Sequence, residues 1–237
     1  MIGEMNKALR FLCAKYGVQE GEMVDSEGKV KVRLPDGTEA RLLPWRTERR
    51  FIELKNLIRN GTLEEVSTLR FASMTAGGDL GKQLGKELDL AVWILEKKIR
   101  SLFAVCAPDC SAANVIVKME NEVNVSVECG NRLPKGKETM DRHEIIARRG
   151  IASDRVVDTQ VPQSSIYSYT DSGETRYTDT DSELFGLPEE EILLVRAAFA
   201  VLSDPGLAAV WNAAAADMER FSAAVFESDR TQSVVTF

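Results

Sequence analysis

A lone histidine, four cysteines and one glycine-rich turn are the parts of this 237-residue sequence that invite a chemical reading. His143 alternates with Ile145 along a strand-like stretch, between Arg142 and Glu144. An imidazole titrates near neutrality, so a general base is one reading; a structural polar contact is the preferred one. Cys106-Ala107-Pro108-Asp109-Cys110 is too loosely spaced for a zinc knuckle, and no second cysteine pair or nearby histidine completes a ligand set. No metal is therefore expected. A cysteine nucleophile would need a histidine partner or a lowered pKa, and the sequence shows neither. Serines are plentiful, but no Gly-x-Ser-x-Gly elbow occurs. Tyr167, Tyr169 and Tyr177 fall on a hairpin and read as cross-strand packing.

The turn Ala76-Gly77-Gly78-Asp79-Leu80-Gly81 follows a strand pattern and opens a helix, as a dinucleotide-binding turn would. The Gly-x-Gly-x-x-Gly spacing is absent, and no acidic residue closes a second strand about twenty residues on. Glycine backbone angles with Asp79 as helix N-cap explain the segment better. The helix start could still receive an anionic or hydroxylated ligand. By itself this chain is expected to bind neither NAD nor NADP.

These residues need elements to hold them. Met5, Leu9, Leu12 and Tyr16 recur at helical spacing up to Gly17. Residues 29–34 and 38–43 read as a hairpin turning at Pro35-Asp36-Gly37, residues 46–60 as a helix, and 66–73 as a strand. The helix after the glycine turn carries Leu84, Leu88, Val92 and Leu95 and is expected to run to about Lys98. Strands are expected at 101–106, 114–119, 122–129, 143–149, 165–170 and 174–178. The last pair joins at Ser172-Gly173, and 150–162 is part extended, part loop. Two helices close the chain. The first opens with Pro188 and three glutamates; the last buries Trp211, Ala214, Met218, Phe221 and Val225. Sequence-adjacent strands with short turns imply an α+β fold. Its sheet would be open and mostly antiparallel, with helices on one face and the other used for oligomerisation.

Bulk properties exclude several roles. A net charge of −7 and a pI near 5.0 argue against nucleic-acid binding, because phosphate neutralisation needs a basic surface. No run approaches the length of a membrane span, and the N-terminus lacks a signal-peptide core. Scattered cysteines suit reduced thiols, so a cytoplasmic location is expected.

From about Leu43 onward, the order of elements resembles the C-terminal domain of the glucose-fructose oxidoreductase/inositol dehydrogenase (Gfo/Idh/MocA) family. RRFIELKNLIRNGTLEEVSTLRF resembles its helix-then-strand passage out of the nucleotide domain, and AGGDLGKQLGKELDLAVWIL its glycine turn and active-site helix. DCSAANVIVKMENEVNVSVECG, HEIIARRGIASDRVV and ADMERFSAAVFESDRTQSVVTF are similar to its later strands and closing helix. The resemblance implies residues 1–42 as a helix-hairpin appendage and 43–237 as the family-like domain, without the N-terminal Rossmann domain and its catalytic lysine. The family's active-site helix reads Asp-x-Gly-x-His-x-x-Asp. Anchored on Asp89, that pattern puts Lys82 at the first aspartate, Leu84 at the glycine and Lys86 at the histidine. Lys82, Lys86 and Asp89 are thus the family-equivalent catalytic positions, and Gly77, Gly78, Lys82 and Lys86 the substrate-pocket candidates. A lysine replacing that histidine would have to lose about 3 pKa units to act as a base at neutral pH.

Two classes of function follow. One is a non-catalytic oligomerisation or accessory subunit, pairing sheet to sheet with its own copies or with a full-length oxidoreductase paralogue. The other is the substrate-binding subunit of an NAD(P)-dependent sugar or polyol dehydrogenase whose nucleotide-binding domain lies on another chain.

Overall fold

The computed structural model describes residues 2–26, 28–154, 165–170, 173–178 and 185–237. In chain order the helices are α1 (Ile2–Tyr16), α2 (Arg49–Arg59), α3 (Leu80–Leu95), α4 (Glu189–Ser203) and α5 (Leu207–Thr231), with a 3-10 turn at Pro44–Thr47. The strands are β1 (Glu22–Ser26), β2 (Lys29–Arg33), β3 (Glu39–Arg41), β4 (Val66–Met74), β5 (Ile99–Cys106) and β6 (Ala112–Met119), then β7 (Asn124–Gly130), β8 (Met140–Ala147), β9 (Gly150–Ser153), β10 (Ser165–Thr170), β11 (Gly173–Thr178) and β12 (Val235–Thr236). They form two compact units: Met1–Arg49 with Asp179–Ala216, and Arg50–Thr178 with Asp217–Phe237.

The first unit contains the expected 1–42 segment together with the C-terminal helices' share of 179–216. Helix α1 buries Met5, Leu9 and Cys13, and α4, which packs against it, buries Ile192, Val195 and Val201. Strands β2 and β3 are the expected hairpin, turning at Gly37 with φ +87°. Strand β1, absent from the sequence reading, adds antiparallel to β2. Both outer strands are closed by side-chain amides. Asn6 of α1 donates to Met23 O at 2.9 Å and accepts from Met23 N at 2.7 Å. Asn212 of α5 accepts from Arg41 N at 2.9 Å and donates to Glu39 O at 3.0 Å.

The second unit is a nine-stranded sheet in the order β11-β10-β9-β8-β4-β7-β6-β5-β12. It corrects the expectation of a mostly antiparallel sheet: the sheet is mixed, because β4 runs parallel to β7 (Leu69 opposite Val125, Phe71 opposite Val127) and antiparallel to β8. After β4 the chain passes through α3 and two hairpins before β7 returns beside it, a non-local pairing that reading turn by turn does not reveal. The expected helix to Lys98 ends earlier, at Leu95, where Glu96 takes a left-handed φ of +52° and lets β5 begin. The reading of 150–162 divides: Gly150–Ser153 pairs with β8, and 155–162 lie outside the described residues, as do the Ser172 turn and the side chains of Tyr167, Tyr169 and Tyr177.

Period-two alternation gives the sheet two unlike faces. Leu69, Phe71, Val115, Val125, Val127 and Ile145 are buried on the side that α3 covers. Arg70, Asn114, Ile116, Glu128 and Arg142 alternate with them and are exposed. Helix α3 lies tight against α5: a Cβ on Gly85 would sit 3.0 Å from Met218 O and 3.2 Å from its Cβ. Gly85→Val should destabilise this unit by about 1–3 kcal/mol through overpacking, read as a lower urea midpoint at unchanged slope.

Candidate functional site

The helix-covered side of the sheet holds a buried charge cluster around His143. Strand β8 points the imidazole inward, between the edges and faces of Phe51 (4.7 Å) and Phe71 (4.9 Å). Its Nδ1 lies 2.6 Å from Asp154 Oδ2 and its Nε2 2.8 Å from Glu87 Oε2, and all three side chains are essentially sealed from solvent. Asp154 also accepts the His143 backbone N–H at 2.7 Å. Arg50, on α2, donates to Asp154 at 3.1 Å and grips both oxygens of Asp141 at 3.0 and 2.9 Å. Lys86, with a quarter of its side chain exposed, places Nζ 3.4 Å from Glu87 Oε1. That oxygen is buried and accepts no hydrogen bond among the described residues.

A carboxyl group faces each ring nitrogen, an arrangement that suits the imidazolium, the one form with an N–H at both nitrogens. Burial pulls the His143 pKa down, but the Asp154 and Glu87 charges and hydrogen bonds outweigh it and raise it to about 9. For Glu87, burial alone would raise the pKa; Lys86 and His143 reverse that and leave it lowered. Asp154 and Asp141 follow the same logic, burial being overcome by His143 for the first and by Arg50 for the second. Arg50, Lys86 and His143 therefore balance Glu87, Asp141 and Asp154. At neutral pH His143 has no lone pair with which to accept a proton. The cluster acts as an ionic core joining α2, α3, β8 and the end of β9.

The other candidates are placed differently. Gly77 and Gly78 are exposed, with φ near +100°, and the turn is held by Gly77 N–H to Asn131 O at 2.9 Å and Asn131 Nδ2 to Gly78 O at 3.1 Å. Asp79 caps α3 by accepting the Lys82 backbone N–H at 3.1 Å. The Lys82 residue is exposed, whereas Lys86 joins the edge of the ionic core and Asp89 is buried. A shallow hollow of about 320 Å³ lies elsewhere, on the uncovered sheet face, lined by Arg70, Phe71, Ala72, Ser126, Glu128 and Arg142. Sequence reasoning missed the partners of His143. Their one local sign was Glu87, an acid on the buried stripe of α3 with Leu84, Leu88, Ala91 and Ile94.

No family model matches the sequence, and no curated protein matches it. Solved structures do. An oxidoreductase from Agrobacterium radiobacter in complex with NAD+, L-tartaric acid and magnesium superposes with a TM-score of 0.65 at 16% identity, over 85% of this chain and 65% of that one. An oxidoreductase domain protein from Kribbella flavida gives 0.65 at 13% identity, covering 82% and 65%. This chain has the fold of these oxidoreductases. The same fold match reaches a super-repressor mutant of Gal80p from Saccharomyces cerevisiae, with a TM-score of 0.64 at 10% identity, covering 85% and 66%. The chain spans just under two thirds of the length of the solved structures it matches. Among the described residues no helix is long and apolar enough to cross a membrane.

Proposed function

We infer that this oxidoreductase-fold chain is a non-catalytic assembly module that joins copies of itself through the uncovered face of its nine-stranded sheet. The observation that carries this reading is the composition of that face. Val105, Ile116 and Ile151 are 45–54% exposed on it. Arg70 and Glu128 stand between these apolar residues, and neither has an ion pair among the described residues, so each can pair across a two-fold axis. The site supports the same reading. Lys86 Nζ lies 3.4 Å from Glu87 Oε1, so its charge serves the ionic core rather than an open pocket. NAD binding by this chain alone is not part of the proposal. The Asp79 carboxylate caps the start of α3 through the Lys82 N–H at 3.1 Å, and its negative charge there disfavours a second anion. A fold common to an NAD+-bound oxidoreductase and to Gal80p does not by itself dictate chemistry. Multi-angle light scattering on the purified chain tests the reading: the expected mass is an integer multiple, two or more, of 26.3 kDa. A monodisperse monomer at micromolar concentration overturns it.

A further inference from the structure

Only two of the four cysteines are reachable from solvent, and they belong to one turn. Cys13 and Cys129 are buried; Cys106 is half-buried and Cys110 exposed. Cys106 is the last residue of β5, paired with Ala113, and Ala107 N–H donates to Ala112 O at 2.8 Å. The chain then doubles back, Cys110 N–H donating to Ala107 O at 2.8 Å, with Cys110 in a left-handed conformation of φ +53°. That turn returns Cys110 to the residue next to Cys106.

We propose that Cys106 and Cys110 are a thiol–disulfide pair, closed by a low-molecular-weight disulfide such as oxidised glutathione, that clasps the β5–β6 turn. Cys110 loses its proton and attacks the disulfide, forming a mixed disulfide and releasing one thiolate. Cys106 then loses its proton and attacks the Cys110 sulfur, forming the Cys106–Cys110 bond and expelling the second thiolate. Two protein thiols are oxidised and one small disulfide is reduced to two thiols. Exposure makes Cys110 the entry sulfur. Burial, with Asp229 beside it and Cys110 adding, pushes the Cys106 thiol up to about 11, which keeps it from attacking first; its later attack relies on the mixed disulfide held beside it in the same turn.

The turn occupies a connected place. Asp109, inside it, accepts from Ser111 Oγ at 2.6 Å and pairs with Arg132, and Arg132 bridges antiparallel to Ala76 at the head of the glycine turn. A clasp at Cys106–Cys110 thus closes around Asp109, the partner of Arg132 in the β7–β8 loop.

The test incubates the whole chain with oxidised glutathione, quenches with acid and digests with trypsin. Cleavage after Arg100 and Lys118 yields Ser101–Lys118, which contains both cysteines and neither of the others. The expected result is that peptide two hydrogens lighter, without a glutathione adduct, while the Cys13 and Cys129 peptides stay reduced. Cys106→Ser should trap the adduct on Cys110, and Cys110→Ser should leave residue 106 unmodified. A lasting adduct on Cys110 in the unaltered chain, no change in the peptide, or a bond to Cys13 or Cys129 overturns the proposal.

Discussion

His143→Leu is expected to lower the stability of the sheet unit by about 3–5 kcal/mol, the cost of removing one partner from a buried ion pair. The change strands Glu87 and Asp154, both fully buried, with only Lys86 and Arg50 left to balance them and Asp141. Leucine is apolar and close to histidine in size, and its neighbours Phe51 and Phe71 are apolar, so the loss reports charge more than volume. The pH profile separates the two. His143 has its pKa raised from 6.5 to about 9, so its contribution is fully present below 6.5 and is lost as pH climbs through 9. At 1.36 kcal/mol per unit the swing is on the order of 3 kcal/mol. Glu87, Asp141 and Asp154 are lowered, so their contribution is present above the ordinary carboxylate range and fades in acid. Urea unfolding at a series of pH values should give a plateau near pH 5–6.5 with an alkaline decline, and the variant should lack that decline. A variant within 1 kcal/mol of the parent, or one retaining the alkaline slope, would falsify the charged-core account.

Ile116→Asp should dissociate the proposed sheet-to-sheet assembly while leaving the fold intact. Ile116 is 54% exposed and stands opposite Phe103 and Ser126 on the uncovered face, so an aspartate there is solvated in the separated chain. Within an interface it would be desolvated without a cation. An unpaired buried charge costs several kcal/mol, and each 1.4 kcal/mol weakens the dissociation constant tenfold, so a loss of about two to three orders of magnitude is expected. Sedimentation velocity across a dilution series, with circular dichroism to confirm an unchanged fold, measures it. An undiminished assembly would place the interface elsewhere.

What could be read from the sequence divides along a physical line. Helix α3 was legible because Leu84 and Leu88 recur at helical spacing and Asp79 caps it; α4 because Pro188 and three glutamates suit a helix start. These signals are local. Strand β9 was legible only as the extended part of 150–162, and β12 not at all: Gly150–Ser153 and Val235–Thr236 are too short to show a period and exist by virtue of pairing with β8 and β5. The parallel β4–β7 pair depends on residues more than fifty positions apart, such as Leu69 and Val125. The expected helix over 46–60 proved to be a 3-10 turn at Pro44–Thr47 followed by α2, because Glu48, in extended conformation, interrupts it. The ionic core was invisible for the same reason as the parallel pair. Arg50, Glu87 and the His143–Asp154 stretch come from three separate parts of the chain, and Arg50 and Asp154 each read alone as an ordinary surface charge. Only Glu87, lodged in an apolar stripe, hinted that something inside was waiting for it.

The two asparagines that close the small sheet have a consequence for how this protein behaves in company. An open strand edge is a template: its free N–H and C=O groups will accept any extended chain, whether a peptide, a neighbour's strand or the first layer of a fibril. Asn6 and Asn212 each present a primary amide, one donor and one acceptor at the spacing of a peptide group, to Met23 and to the Glu39–Arg41 edge. Both ends of the ladder are thereby terminated by groups too short to be extended, and strand exchange through this unit is closed off without a proline or a charged lysine in the edge positions. Edge-to-edge growth through this small sheet is thereby hindered at both of its outer strands.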